Sequence, residues 1–275
     1  MELLLNNSKR LRHDGRLYVD FEKRGDKTVL VNLFHHAPLK GSREIYMNPL
    51  DSSEPTVYMM ESSGGLMAGD HTKYKVKCAE NASACLIPQS ATIVYPSKYS
   101  EQISQQEIDV TLEKNASLFW KTEATIPFKD ARFKGRTTIK MEESSTLLWG
   151  EVIAPGRLKR DEQFEYHFFD SNFQVWVENE CVIFDKLSFQ PDNCNLNKLG
   201  LLEEHVYMGS LWFVSPKVTD FDVAALNTEL QKHSEINVGI SLIDGKAINM
   251  RWLASDLILL KKEMDKMWVK IRENI

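Results

Sequence analysis

The feature that most constrains this fold is a hydrophobic period of two. In Thr72–Cys78, Tyr74, Val76 and Cys78 fall on one side, and Lys73, Lys75 and Lys77 on the other. That pattern is a strand with one dry face and one wet face. Ile108, Val110 and Leu112 repeat it, as do Phe164, Tyr166 and Phe168, then Phe173, Val175 and Val177. Ile236, Val238, Ile240 and Leu242 do so again. Val29–Phe34, Ser145–Val152 and Cys181–Phe184 are more continuously apolar, as expected of strands covered on both faces. Turn signals separate these runs: Asp14-Gly15, Gly25-Asp26, Asn81, Asn115, Asn179 and Asp244-Gly245. Many short strands at this spacing predict an all-β sandwich, barrel or stacked-sheet body.

Two helices are expected near the end of the chain. Thr219-Asp220-Phe221-Asp222 reads as a capping box opening a helix over 219–232, in which Val223, Leu226 and Leu230 recur at helical spacing. A second helix is expected over 255–273, where Leu257, Leu260, Met264, Met267 and Ile271 form one apolar stripe and Lys261, Lys262, Glu263, Asp265 and Lys266 fill the other face. The stripe either packs on the chain's own sheet or is offered to a partner groove. No repeat of fixed period and no low-complexity linker interrupts the 275 residues, so one domain over 1–275 is expected.

Composition narrows the class. Hydrophobic residues make up 43% and charged residues 27%, an ordinary globular balance. The net charge of −5 offers no basic excess for phosphates, so no nucleic-acid partner is expected. The run Met1–Asn7 is too short for a signal peptide, and no stretch approaches the ~20 apolar residues that span a bilayer. The expectation is a soluble, cytoplasmic protein with no membrane partner. Cys78, Cys85, Cys181 and Cys194 form no C-x-x-C pair and lie at no zinc-finger spacing, so they read as free thiols in a reducing compartment.

Several segments could carry chemistry. Ser62–Asp70 places Gly64, Gly65 and Gly69 in one short loop. A phosphate loop would close with Lys-Ser/Thr and open a helix. Here Gly69 is followed by Asp70, His71 and a strand, so the segment reads as a tight glycine turn. Pro88–Tyr95, with Gln89 and its small residues, reads as a close-packed crossing. Trp149–Arg157 puts Glu151 inside an apolar strand, with Arg157 and Glu162 after a turn. A carboxylate there needs a partner or water, because isolated burial is costly. It is either one half of an internal Glu–Arg pair or part of a polar path. His35 and His36 point to opposite faces of a strand and should not chelate one ion together. An enzyme reading exists as well: a carbohydrate-active hydrolase with Asp70 and Glu151 as its paired carboxylates, which needs an open cleft with the carboxyls roughly 5–9.5 Å apart. A carbohydrate-binding module would use Trp120, Trp149 or Trp176 as a platform.

Taken together, these segments resemble the urease accessory protein UreD (UreH) family. The resemblance rests on Gly64-Gly65-Leu66-Met67-Ala68-Gly69-Asp70, on Gln89, Ala91, Thr92 and Tyr95, and on Ile126-Pro127-Phe128. It extends to Glu151, Gly156-Arg157 and Glu162-Gln163-Phe164, to Ala37-Pro38-Leu39-Lys40 near the start, and to Arg251-Trp252-Leu253 near the end. Members often carry Gly-Glu where this chain has Asp161-Glu162, and many continue past the last helix to a Trp-bearing tail. The resemblance implies a mainly β fold of stacked, β-helix-like strands with two C-terminal α-helices. It implies a non-catalytic maturation factor that binds apo-urease, recruits UreF and, through it, the GTPase UreG. It further implies no tightly bound cofactor, only nickel in transit. On that reading Asp70, Glu151 and Glu162 line a polar path for Ni²⁺ and water, with Arg157 fixing one carboxylate. Gly64, Gly65, Gly69, Gln89 and Tyr95 belong to the structural or interaction motifs, and Leu257, Leu260 and Met264 to a helix able to dock UreF.

Overall fold

A computed structural model describes residues 14–231 and 235–275. The chain winds between two sheets. β1 (Asp14–Arg24) and β2 (Lys27–His36) form a hairpin in the first sheet; β3 (Leu39–Gly41) and β4 (Thr56–Glu61) open the second. The chain then alternates: β5 (His71–Cys78) in the first sheet and β6 (Ser83–Pro88) in the second, followed by the short β7 (Thr92–Val94). β8 (Ser104–Leu112), β9 (Ser117–Trp120) and β10 (Ala124–Pro127) repeat this circuit, and β11 (Arg132–Met141) and β12 (Thr146–Ile153) follow the same route. β13 (Phe168–Val177) and β14 (Glu180–Phe189) end the first sheet; β15 (Tyr207–Val214), β16 (Ile236–Ile243) and β17 (Ala247–Ala254) end the second. α1 (Val223–Leu230) precedes β16, and α2 (Leu257–Arg272) follows β17.

Each circuit adds one strand to each sheet in the same direction. The seven-stranded sheet runs β14-β13-β11-β8-β5-β1-β2, with β1, β5, β8, β11 and β13 mutually parallel. In the other sheet β4, β6, β9 and β12 are parallel neighbours. This is the stacked, helix-like winding that the family resemblance implies. The corners stack too. Asn81 and Asn115 adopt positive φ, which Asn tolerates. Asn115 Nδ2 donates to Asn81 Oδ1 at 3.0 Å, and its backbone amide donates to Ser144 Oγ at 2.9 Å. Matching positions in successive circuits, Tyr74, Ile108, Thr137 and Phe173, lie in register although unequal numbers of residues separate them. That inequality hides the repeat from any search at fixed period.

The two sheets enclose an aromatic stack. Trp120 lies 4.2 Å from Trp149, and Phe173 4.3 Å from Trp212, centroid to centroid. Trp120 and Trp149 are therefore core residues, not an exposed sugar platform. The outer face of the seven-stranded sheet is wet, which is why Lys73, Lys75 and Lys77 alternate so cleanly with their apolar neighbours. The outer face of the other sheet is covered by the helices. Leu260, Met264, Met267, Trp268 and Ile271 of α2 are buried against Leu148, Phe213 and Ile248. Gly209 lets the helix approach, since a Cβ there would stand 2.5 Å from Met264 Sδ. The apolar stripe is thus consumed by the chain's own sheet, with Leu257 half-buried at its start.

Four expectations need correction. Phe164–His167 is not strand: Phe164 has φ +55°, its amide bonds to Pro155 O at 2.8 Å, and Tyr166 turns into the core. Val29–Phe34 is not covered on both faces, because β2 belongs to the sheet whose outer face is wet, and Phe34 is exposed. Cys181–Phe184 lies in the same sheet, with Cys181 and Phe184 exposed. Thr219 caps nothing. A 3₁₀ turn spans Pro216–Asp220, and α1 is capped instead by Asp222, whose side chain accepts from Ala225 N at 3.0 Å. Residue 232, the expected end of that helix, lies outside the described residues. No helix among the described residues is long and apolar enough to cross a membrane.

Candidate functional site

A polar cavity of about 90 Å³ lies between the sheets, lined among others by Glu61, Tyr74, Gln106, Glu151, Thr137 and Ser171. Its origin is local. The row Gln106–Gly135–Ser171 across three strands of the first sheet is small or polar where neighbouring rows are bulky. Opposite it, the period of two that points Leu147 and Trp149 inward carries Glu151 inward as well. Glu61 ends β4 at the same cavity.

The cavity carboxylates resist ionisation. Burial pushes Glu151 up to about 7, the negative field of Asp185 adds to this, and Arg251 opposes it. Burial also raises Glu61 above the usual carboxylate range; a hydrogen bond from Ser63 Oγ at 2.8 Å opposes the shift, and the charge of Asp70 adds to it. The Tyr74 phenol is pushed up by burial and by Glu61, and stays neutral.

The other expected residues are placed elsewhere. Asp70, 3% exposed, closes its own turn: Oδ2 accepts from Met67 N at 2.9 Å, and its amide donates to Met67 O at 2.9 Å. Its charge reaches the cavity through Glu61, whose ionisation it opposes. Gly64, Gly65 and Gly69 all have positive φ. Gly65 passes so close to β7 that a Cβ would lie 2.5 Å from Ile93 O. Glu162 is not at the cavity. It pairs with Arg157, whose Nε donates to Oε2 at 2.7 Å while Nη2 contacts Oε1, and this pairing holds its carboxyl below the usual range. Arg157 lies over the Phe128 ring at 4.0 Å, and Phe128 meets Tyr95 edge-on at 5.3 Å. Gln89 is exposed at the end of β6. The internal Glu–Arg pair considered for Glu151 is therefore made by Glu162 instead. Among the described residues no three His, Cys, Asp or Glu side chains converge to hold a metal ion.

The chain matches the model of the UreD urease accessory protein family over residues 13–275. It belongs to the UreD family. It is 49% identical over 250 residues to the urease accessory protein UreD of Sporosarcina pasteurii, covering 91% of this chain and 97% of that protein. It is 41% identical over 264 residues to UreD of Lysinibacillus sphaericus, covering 95% and 97%. UreD of Halalkalibacterium halodurans is 31% identical over 259 residues, covering 94% and 93%. All three are accessory proteins of urease by name.

Among the UreD motif residues, Glu151, Ala91 and Thr92 line the cavity, and Glu151 is the carboxylate of the three. Glu61, Gln106 and Asp185 were not legible as site residues, since each reads as one more polar position on a strand; Tyr74 falls on the apolar side of its strand, and Arg251 is legible only as part of a family motif. Glu151 makes a testable contribution to stability. Its ordinary value is 4.5 and its folded value about 7. Between these values the unfolded chain has lost the proton that the folded chain keeps. Stability should therefore fall as pH rises through that window, by at most about 1.4 kcal/mol per unit, and level off above it. Glu151→Gln removes this contribution. Its stability relative to wild type, from urea denaturation, should rise between pH 5 and 7 and then stay flat. A difference independent of pH would show an ordinary carboxylate.

Proposed function

We propose that this chain is a non-catalytic urease maturation factor. It binds apo-urease, recruits UreF and through it UreG, and passes Ni²⁺ through the polar cavity between its sheets. The observation that carries the path is the cavity itself: Glu61 and Glu151, both resisting ionisation, share its lining with Glu123 and with polar groups such as Gln106, Thr137 and Ser171. Ni²⁺ accepts carboxylate and water ligands, and binds histidine and thiolate sets more tightly. A conduit must release its cargo, so isolated carboxylates suit it better than a closed cage. A carboxyl whose ionisation burial opposes gives up its proton more readily when a dication arrives, because the opposite charge favours the charged form. Proton loss then accompanies metal entry, and the proton returns on exit.

The hydrolase reading fares worse. Ligand pockets for molecules of sugar size are roughly 300–1,000 Å³, against about 90 Å³ here, and Asp70 does not share the cavity with Glu151.

The test is co-expression of this chain with apo-urease, UreF and UreG. Wild type and the Glu61→Gln/Glu151→Gln double variant should both co-purify with the partners. The double variant should activate urease several-fold less at limiting nickel, with recovery at excess nickel. Equal activation at limiting nickel removes the path. Association with none of the three partners removes the accessory role.

A further inference from the structure

The second sheet is interrupted beside the cavity. β6 ends at Pro88 and β7 begins at Thr92; β9 ends at Trp120 and β10 begins at Ala124. β12 spans the gap, pairing with β9 through residues 146–149 and with β10 through Val152 and Ile153. Because β6 pairs with β9 and β7 with β10, the two breaks lie side by side and open the sheet at one place. The cavity passes through this opening. Its lining includes Tyr74, Trp120 and Trp149 of the core between the sheets, and also Ala91, Ala124 and Val152, which pack in the core under the helices.

Glu123 stands in the second break and lines the cavity. Its Oε1 accepts from Ala124 N at 2.9 Å and from Lys261 Nζ of α2 at 2.6 Å. Glu123 is 22% exposed and Lys261 33%, so water reaches both members of the pair. The neighbouring charges are paired apart from it: Lys121 Nζ lies 2.7 Å from Asp265 and 4.9 Å from the centroid of the Trp268 ring. Together Glu123 and Lys261 present no net charge. A cation arriving from the helix side therefore meets a carboxylate that is already neutralised. An ion pair this open to water is weak, because solvent competes for both members and screens their attraction. A dication gains more from the same carboxylate than an ammonium does, since its charge is double. Carboxylate with water as co-ligand is a ligand set that Ni²⁺ accepts. We propose that Lys261 is the displaceable counter-ion that controls metal entry at this mouth: its ammonium caps Glu123 until a divalent cation takes the carboxylate over. The ammonium then turns out into water on its flexible stem and keeps its proton. The proposal rests on the metal path proposed above and sets one end of that path beside α2.

A pair that only ties α2 to the sheet would not change metal binding when it is cut. The test is equilibrium dialysis of Ni²⁺ against the isolated full-length chain. K261M should bind Ni²⁺ at least about tenfold more tightly than wild type, because a positive charge in contact with the ligand is lost. K261R keeps that charge and should match wild type. K262M removes a charge from the exposed side of the same helix and should leave affinity nearly unchanged, since water and salt screen it. The gain should run through Glu123, so E123Q/K261M should bind no more tightly than E123Q. K261Q takes the place of K261M if the latter does not fold. Equal affinity in K261M and wild type overturns the proposal. So does a gain that persists in E123Q/K261M, or one that K262M reproduces. Dialysis of the isolated chain reads the mouth, whereas urease activation by the Glu61/Glu151 double variant reads the path beyond it. Failure of one is thus distinct from failure of the other.

Discussion

Arg272→Ala will lower the stability of this protein by about 3–5 kcal/mol in urea denaturation, far more than loss of an exposed ion pair. Arg272 ends α2 and reaches back to Glu54, which is 2% exposed. Its two Nη atoms donate to the two carboxylate oxygens at 3.1 and 2.9 Å. Ser83 Oγ and Asn48 Nδ2 donate to the same carboxylate at 2.8 and 3.0 Å. The guanidinium also lies 3.4 Å from the centroid of Phe119. Removing the Arg leaves a desolvated carboxylate short of two donors and opens the joint between helix and body. Glu54→Ala should cost a similar amount. The double variant should cost clearly less than the sum of the two, since neither charge is then stranded. A loss under 1 kcal/mol for Arg272→Ala would mean that the pair does not hold the helix end.

The second large effect is expected at Gly65. Its φ of +139° is closed to most side chains, and an added Cβ would stand 2.5 Å from Ile93 O and 2.8 Å from Ile93 Cβ. That carbonyl cannot retreat easily, because it accepts from Leu66 N at 2.8 Å and belongs to β7, which pairs with β10. Gly65→Ala should therefore cost about 3 kcal/mol or more, combining backbone strain with a backbone clash. Gly69, at φ +87°, has nothing within 4 Å of its would-be Cβ. Gly69→Ala should cost only the conformational penalty, about 1–2 kcal/mol. Paired denaturation curves would expose the difference; equal losses would mean that the approach to β7 is not tight. The loss at Gly65 should also displace Glu61, which lines the cavity.

Much of the β body is legible because it is written locally. Lys73, Lys75 and Lys77 alternate with Tyr74, Val76 and Cys78 because one face of that sheet is wet, and Asn81 and Asn115 sit where the chain turns with positive φ. The reading fails where alternation meets other demands. Phe164, Tyr166 and Phe168 alternate as a strand would, yet tertiary packing of Tyr166 bends the segment. Val29–Phe34 looks doubly covered, yet nothing in a strand's own residues states whether a second layer packs on its outer face. For the site, Glu151 was legible as a carboxylate in an apolar run. Its partners were not, because Glu61, Asp185 and Arg251 come from strands far apart in the chain.

By itself the sequence determined a mainly β chain with one strongly amphipathic terminal helix, membership of the UreD family, and the local turns at Gly64, Gly65 and Asp70. Those are properties of short windows and ordered motifs, set by side-chain period and backbone freedom. Only the tertiary structure decided that the helical stripe is spent on the chain's own sheet, that Glu162 rather than Glu151 takes Arg157, and that Glu61 and Glu151 share a cavity. These depend on which circuit stacks on which. Unequal circuit lengths, with Tyr74, Ile108, Thr137 and Phe173 nonetheless in register, place that information in the packing of the two sheets against each other rather than in any one stretch of chain.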